Sequence, residues 1–124
     1  MSERVALPEA SRLTVSEDRG GYYRIVFPNG KVDGTAVREL YEVTMQLADQ
    51  IEQLKLLVDL SGIEFMPSGG LGMLVTLRKK FLGSGGQLHI YVPDAQVREV
   101  FMVTNLDRLL NLYSNGDEAS TSFK

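Results

Sequence analysis

A chain of 124 residues, 44% hydrophobic and 23% charged, is one ordinary globular domain, able to bury roughly two-thirds of its unfolded surface and too apolar for disorder. Its formal net charge of -3 gives no electrostatic footprint for a nucleic-acid duplex or an anionic membrane surface. With no cysteine there are no disulfides, thiolate catalysts or Cys-based metal sites, and no run nears the ~18 apolar residues of a membrane span.

Residues 1–11, mixed and carrying Pro8, read as a loose N-terminal arm, and 12–124 as the domain. The start, Met1-Ser2-Glu3-Arg4, has no apolar stretch of the secretory kind, so cytoplasmic residence is the expectation. Arg12 to Glu17 alternates Leu13 and Val15 with polar residues, as a half-buried strand does. Asp18-Arg19-Gly20-Gly21 is a turn, and Tyr22 to Phe27, aromatic and β-branched, completes a hairpin. Pro28-Asn29-Gly30 closes that strand. A helix then runs from about Thr35 to Ile51, with Val37, Leu40, Val43, Leu47 and Ile51 at helical spacing and Asp33 or Thr35 as cap. Leu54 to Leu60 is almost unbroken apolar, the pattern of a central strand covered on both faces.

Ser61 to Pro67 is a loop. A second helix runs from Ser68 to about Leu82, with Leu71, Leu74, Val75, Phe81 and Leu82 as its buried stripe and Gly83-Ser84-Gly85-Gly86 as its stop. Arg78-Lys79-Lys80, late in that helix, reads as a solvated end, where cations are favoured. Gln87 to Val92 is a strand. Asp94 caps a third helix with Val97, Val100 and Phe101 inward, which ends at Asn105. Leu109 to Tyr113 is a short last strand, and Gly116-Asp117-Glu118 opens a brief final helix. The order β-β-α-β-α-β-α-β predicts an α/β domain with a mixed sheet: a leading hairpin, then βα units paired in parallel, flanked by about four helices.

No catalytic constellation assembles from these residues. His89 is the only histidine; it alternates with Leu88 and Ile90, and so points off their face as a sheet-surface residue. One histidine without cysteine builds no ordinary zinc site, and Gly-x-Ser-x-Gly is absent. No catalytic residue, metal or cofactor is therefore expected. Of two glycine-rich stretches, Gly83 to Gly86 follows a helix and is a connector. Pro67-Ser68-Gly69-Gly70-Leu71-Gly72 follows a strand and opens a helix, so its free N–H groups form a potential anion site. It carries neither a Walker lysine nor Gly-x-Gly-x-x-Gly. Ser68 is first of all the expected N-cap of that helix.

The stretch from Val58 to Gly72, with Asp59-Leu60-Ser61 leading through a short loop to Pro67-Ser68-Gly69-Gly70-Leu71-Gly72, resembles the STAS domain family. In that family a hydrophobic strand ends in Asp-Leu-Ser/Gly, and Asp-Ser-Ser-Gly-Leu-Gly opens the next helix. Asn29-Gly30-Lys31-Val32-Asp33 is similar to the family's Gly-Glu-Leu-Asp, Gly85-Gly86-Gln87-Leu88 to its Gly-Gly-x-Leu, and Val100 to Asp107 to its Leu-Phe-x-x-Thr-Gly-Leu. The resemblance spans about residues 12 to 119, with four motifs in order.

The resemblance implies a non-enzymatic, protein-binding regulator of the bacterial anti-sigma factor antagonist type. Such proteins bind a GHKL-type serine kinase that is also an anti-sigma factor, and so free the sigma factor. Phosphorylation breaks the complex and a phosphatase restores it. Carried over by motif, the phosphoacceptor is Ser68, Asp33 is the nearby acid, and Pro67, Gly69, Gly70 and Leu71 belong to the partner or anion surface. Pro67 stands where the family has aspartate, Gly69 where it has a second serine, and the family's last helix is longer. Two other readings stay open: a constitutive scaffold in a larger regulatory or transporter-associated assembly, and a sensor of a small anion or nucleotide.

Overall fold

The computed structural model describes residues 6–7 and 12–123. The expected N-terminal arm therefore lies outside the described residues except for Ala6 and Leu7. The Ala6 N–H donates to Gln50 Oε1 at 2.8 Å, and Gln50 Nε2 donates to the Ala6 carbonyl at 2.9 Å.

β1 (Thr14–Asp18) and β2 (Tyr22–Val26) pair antiparallel, closed by the Gly21 N–H on the Asp18 carbonyl at 3.1 Å. Pro28–Gly30 forms a 3₁₀ turn. Then come α1 (Gly34–Gln50), β3 (Lys55–Asp59), α2 (Ser68–Ser84), β4 (Gln87–Tyr91) and α3 (Ala95–Val103). A 3₁₀ turn at Leu106–Arg108, β5 (Asn111–Tyr113) and α4 (Gly116–Ser120) complete the chain. The strands stand side by side in chain order, parallel from β2 to β5. The α/β reading, the leading hairpin and the four helices match this architecture. The last strand starts two residues later than expected, because residues 106–108 close a 3₁₀ turn first.

Strands that advance in one direction, joined by crossovers of one hand, stack their helices on one face. Ile25, Leu56, Val58 and Ile90 meet Leu40 and Leu47 of α1, Leu74 and Leu77 of α2 and Phe101 of α3 there. Leu82, expected in the α2 stripe, is 66% exposed, and Leu77 takes its place. The stripe continues at 70, 74, 77 and 81, so 82 falls on the outer side. α2 also runs on through Gly83 and Ser84; it stops at Gly85, whose φ of +78° suits glycine.

Alternation puts Tyr22, Leu57 and His89 on the opposite face. Among the described residues, Ala119 of α4 and the stretch after it cover this face, with Tyr91, Tyr113 and Phe123 packed around. His89 is therefore not a sheet-surface residue: it points off the Leu88 and Ile90 face as expected, but is 5% exposed. Its Nδ1 lies 2.6 Å from Ser122 Oγ and its ring stacks on Phe123.

Arg24 also lies on this face. It donates through Nε to Asp18 at 3.0 Å and through Nη1 to Asp59 at 2.5 Å. Burial alone would lower its pKa; hydrogen bonds to Asp18, Asp59 and Tyr22 outweigh that and hold it above its ordinary value.

The helix starts separate two expectations. Asp33 accepts the Ala36 N–H at 2.8 Å and Asp94 the Val97 N–H at 2.9 Å, so both cap as predicted. Ser68 does not. Pro67, extended at φ -70° and ψ 158°, occupies the cap position with no side-chain bond, and Ser68 is already helical. A cap must be extended to turn its side chain back onto the first-turn N–H groups, which Ser68 cannot do here.

Two outcomes are expected in denaturant melts. Asp94→Ala should cost about 1 kcal/mol, whereas Ser68→Ala should stay within about 0.3 kcal/mol of the parent chain. Asp59→Ala should cost about 2–3 kcal/mol, because it leaves a half-buried guanidinium short of an acceptor. A cost below about 1 kcal/mol would show that Asp18 alone satisfies Arg24.

Candidate functional site

The site begins where β3 ends. Asp59 is 6% exposed; its Oδ2 takes Arg24, and its Oδ1 accepts the Ser61 N–H at 2.8 Å. That second bond bends the chain out of the sheet, in the manner of an Asx turn. The Ile63 N–H then closes on the Leu60 carbonyl at 3.1 Å across Gly62. Ile63 and Met66 are buried and pin the loop, while Glu64 and Phe65 between them face outward. Phe65 is 74% exposed, a large apolar surface to leave in water.

Pro67 then carries the chain into α2. Its carbonyl accepts the Gly70 and Leu71 N–H groups at 3.0 and 3.2 Å. Ser68 and Gly69 are exposed, and the Ser68 hydroxyl has no partner among the described residues. A Cβ built on Gly69 or Gly72 meets only open space. Gly70 differs: a Cβ there would meet Met66 Sδ at 2.6 Å and Val32 Cγ1 at 3.3 Å. Gly70 and Leu71 are both buried, so they support the surface from below rather than form it.

The link between β2 and α1 makes the other wall. Gly30 has φ +65°, and a Cβ on it would overlap the Gly62 carbonyl oxygen, so only glycine lets the two loops touch here. Val32 is buried against Gly70, and Asp33 follows it at the head of α1. Asp33 pairs with Arg12 at 2.7 Å. The Ala36 N–H, with Arg12 beside it, holds the Asp33 carboxyl below its ordinary value. Lys31, Asp33, Gly62, Glu64 and Phe65 border a shallow groove of about 510 Å³.

Asp33, Pro67, Ser68 and Gly69 thus gather at one end of the sheet on two touching loops, without a hydrogen bond between Asp33 and Ser68. Sequence reasoning missed Phe65 and Arg12. Phe65 had a legible signal, an aromatic between Glu64 and Met66 in a loop beside the serine. Arg12 had none, because its pairing depends on how β1 lies beside α1. Among the described residues no cluster of His, Asp and Glu is placed to hold a metal ion, and no helix is long and apolar enough to cross a membrane.

The sequence profile of the STAS domain matches residues 14–119. A Thermotoga maritima protein provisionally named an anti-sigma factor antagonist is 35% identical over 65 residues, or 52% of this chain. The match spans 58% of that relative's length. The solved anti-sigma-factor antagonist (STAS) domain protein of Planctomyces limnophilus superposes with a TM-score of 0.76 at 24% identity, over 89% of this chain and 96% of its own; at that identity the likeness speaks for the fold. An anti-sigma factor antagonist from Mycobacterium paratuberculosis superposes with a TM-score of 0.67 at 26% identity, over 89% of this chain and 91% of its own. With the profile covering the chain from its first strand to its last helix, this protein belongs to the STAS domain family.

Proposed function

We propose that this chain is an anti-sigma factor antagonist: it binds a GHKL-type serine kinase that doubles as an anti-sigma factor, and phosphorylation of Ser68 ends that binding. The observation that carries the reading is the surface around Ser68. The hydroxyl is exposed and uncommitted, the glycines at 69 and 72 face open space, and Phe65 stands exposed beside them. Glycine inside a helix costs roughly 0.5–1 kcal/mol relative to alanine. Gly70 repays that cost in packing, but among the described residues nothing does so for Gly72. A partner that approaches the backbone closely supplies the reason.

The switch follows from charge. A phosphate on Ser68 brings about -1.5 to -2 charges at pH 7 to a helix start with free N–H groups and a positive dipole end. The isolated domain tolerates it. A partner closed over a neutral hydroxyl and two glycines must instead desolvate a dianion or leave it unpaired, at a penalty of about 2–5 kcal/mol. Kinase and phosphatase together make this reversible.

Calorimetric titration with the cognate kinase tests the switch. Ser68→Asp should melt like the parent chain yet bind roughly tenfold or more weakly, while Ser68→Ala binds like the parent. Equal affinity of the Asp and Ala variants would sink the switch and leave a constitutive scaffold. Gly72→Ala tests the contact surface separately. It should raise monomer stability by about 0.5–1 kcal/mol and weaken kinase binding. A variant that is more stable and binds unchanged would move the interface off this face of α2.

A further inference from the structure

The loop from β3 to α2 sends one large apolar side chain outward. Phe65 is 74% exposed, lies outside the core and its packed margin, and among the described residues has no ring or cation against it. Exposure alone decides nothing, because single apolar residues are common on surfaces. Leu82 and Val103 are about as open, but they stand near the C-terminal ends of α2 and α3. Leu82 is some 21 Å along α2 from Ser68.

Phe65 differs in how firmly its backbone is held. The Ser61 N–H is fixed on Asp59 and the Ile63 N–H on the Leu60 carbonyl. Ile63 and Met66, buried on either side of Glu64 and Phe65, anchor the loop to the core. Met66 lies under Gly70, and Pro67 fixes the next φ at -70°. On such a backbone only the two χ angles of the ring remain to settle, so a partner that encloses it orders little.

We propose that Phe65 is the affinity anchor of the kinase interface: its ring enters an apolar pocket of the kinase, while Ser68 carries the switch. The inference rests on the functional reading above and divides its labour between two residues. Reach argues for this occupant. Three residues of chain span at most about 11 Å, and an ordinary interface covers about 800 Å² per partner, a disc of roughly 16 Å radius. A protein centred on the Ser68 hydroxyl therefore takes in the Phe65 ring. The surroundings fit an interface centre as well. Phe65 borders the 510 Å³ groove together with Lys31, Asp33 and Glu64, so an aromatic stands inside a rim of exposed charges of both signs.

Calorimetric titration of the cognate kinase with the full chain tests the anchor. The Ser68→Ala background is used, so that no phosphorylation intervenes. Adding Phe65→Ala should lower affinity about 30-fold, while its melting curve overlays that of the background. A lower melting midpoint would show that the ring serves the fold, and overturns the proposal. Affinity within about fivefold of the background overturns it too. Sedimentation of the free chain covers the other occupant. If the parent self-associates and Phe65→Ala does not, the ring meets a second copy and the kinase anchor falls. The two readings fail separately. A parent chain that does not bind the kinase sinks the functional reading, and the anchor with it. Full-strength binding by Ser68→Asp sinks the switch alone and leaves the anchor standing.

Discussion

One buried carboxylate organises the end of the sheet that carries the site. Asp59 closes the central strand with one oxygen on Arg24 and the other on the Ser61 N–H. A carboxylate that is only 6% exposed must have both kinds of partner or be expelled toward water. The first bond ties β3 to the hairpin through β2. The second decides where the strand gives way to the loop. Everything after it, the Gly62 turn, the Ile63 and Met66 anchors and the Pro67 entry to α2, inherits its position from that bend.

The same sheet is sheltered unequally. Three long crossovers in one direction put α1, α2 and α3 on one face, where they bury the main core. Among the described residues, the opposite face is covered by α4 and the residues that follow it. That is enough to bury Leu57, His89 and Tyr22, but through single contacts rather than interlocking helices. Polar and ionic groups therefore collect on this side: the Arg24 cluster toward β1 and the His89 to Ser122 bond toward β5. Local stability should be lowest there, since few buried contacts hold the cover down.

The surface around Ser68 owes its character to what the fold does not use. Pro67 takes the cap position without capping, which leaves the serine hydroxyl free and the first N–H groups of α2 open. Gly30 and Gly62 let the neighbouring loop press close, so Asp33 and Arg12 stand on the same end of the molecule.

Local patterns determined much of this protein. The apolar period of α1, the hairpin from Arg12 onward, the continuous strand to Leu60 and the Asp33 and Asp94 caps all depend on residues within a few positions of each other. The motif from Asp59 to Gly72 identified the family because its residue types answer local backbone needs. Tertiary structure decided the rest. Ser68 against Pro67 as the cap turned on one residue's backbone angles, which the loop anchors set. Leu82 and Leu77 exchanged roles because the buried stripe follows the neighbouring helix. His89 alternated as its strand required, yet its burial came from Ser122 and Phe123, some thirty residues away (33 for the bonded pair). Arg24 and Asp59 likewise meet across 35 residues. Periodicity records which way a side chain points; what lies on that side is fixed only when distant segments pack.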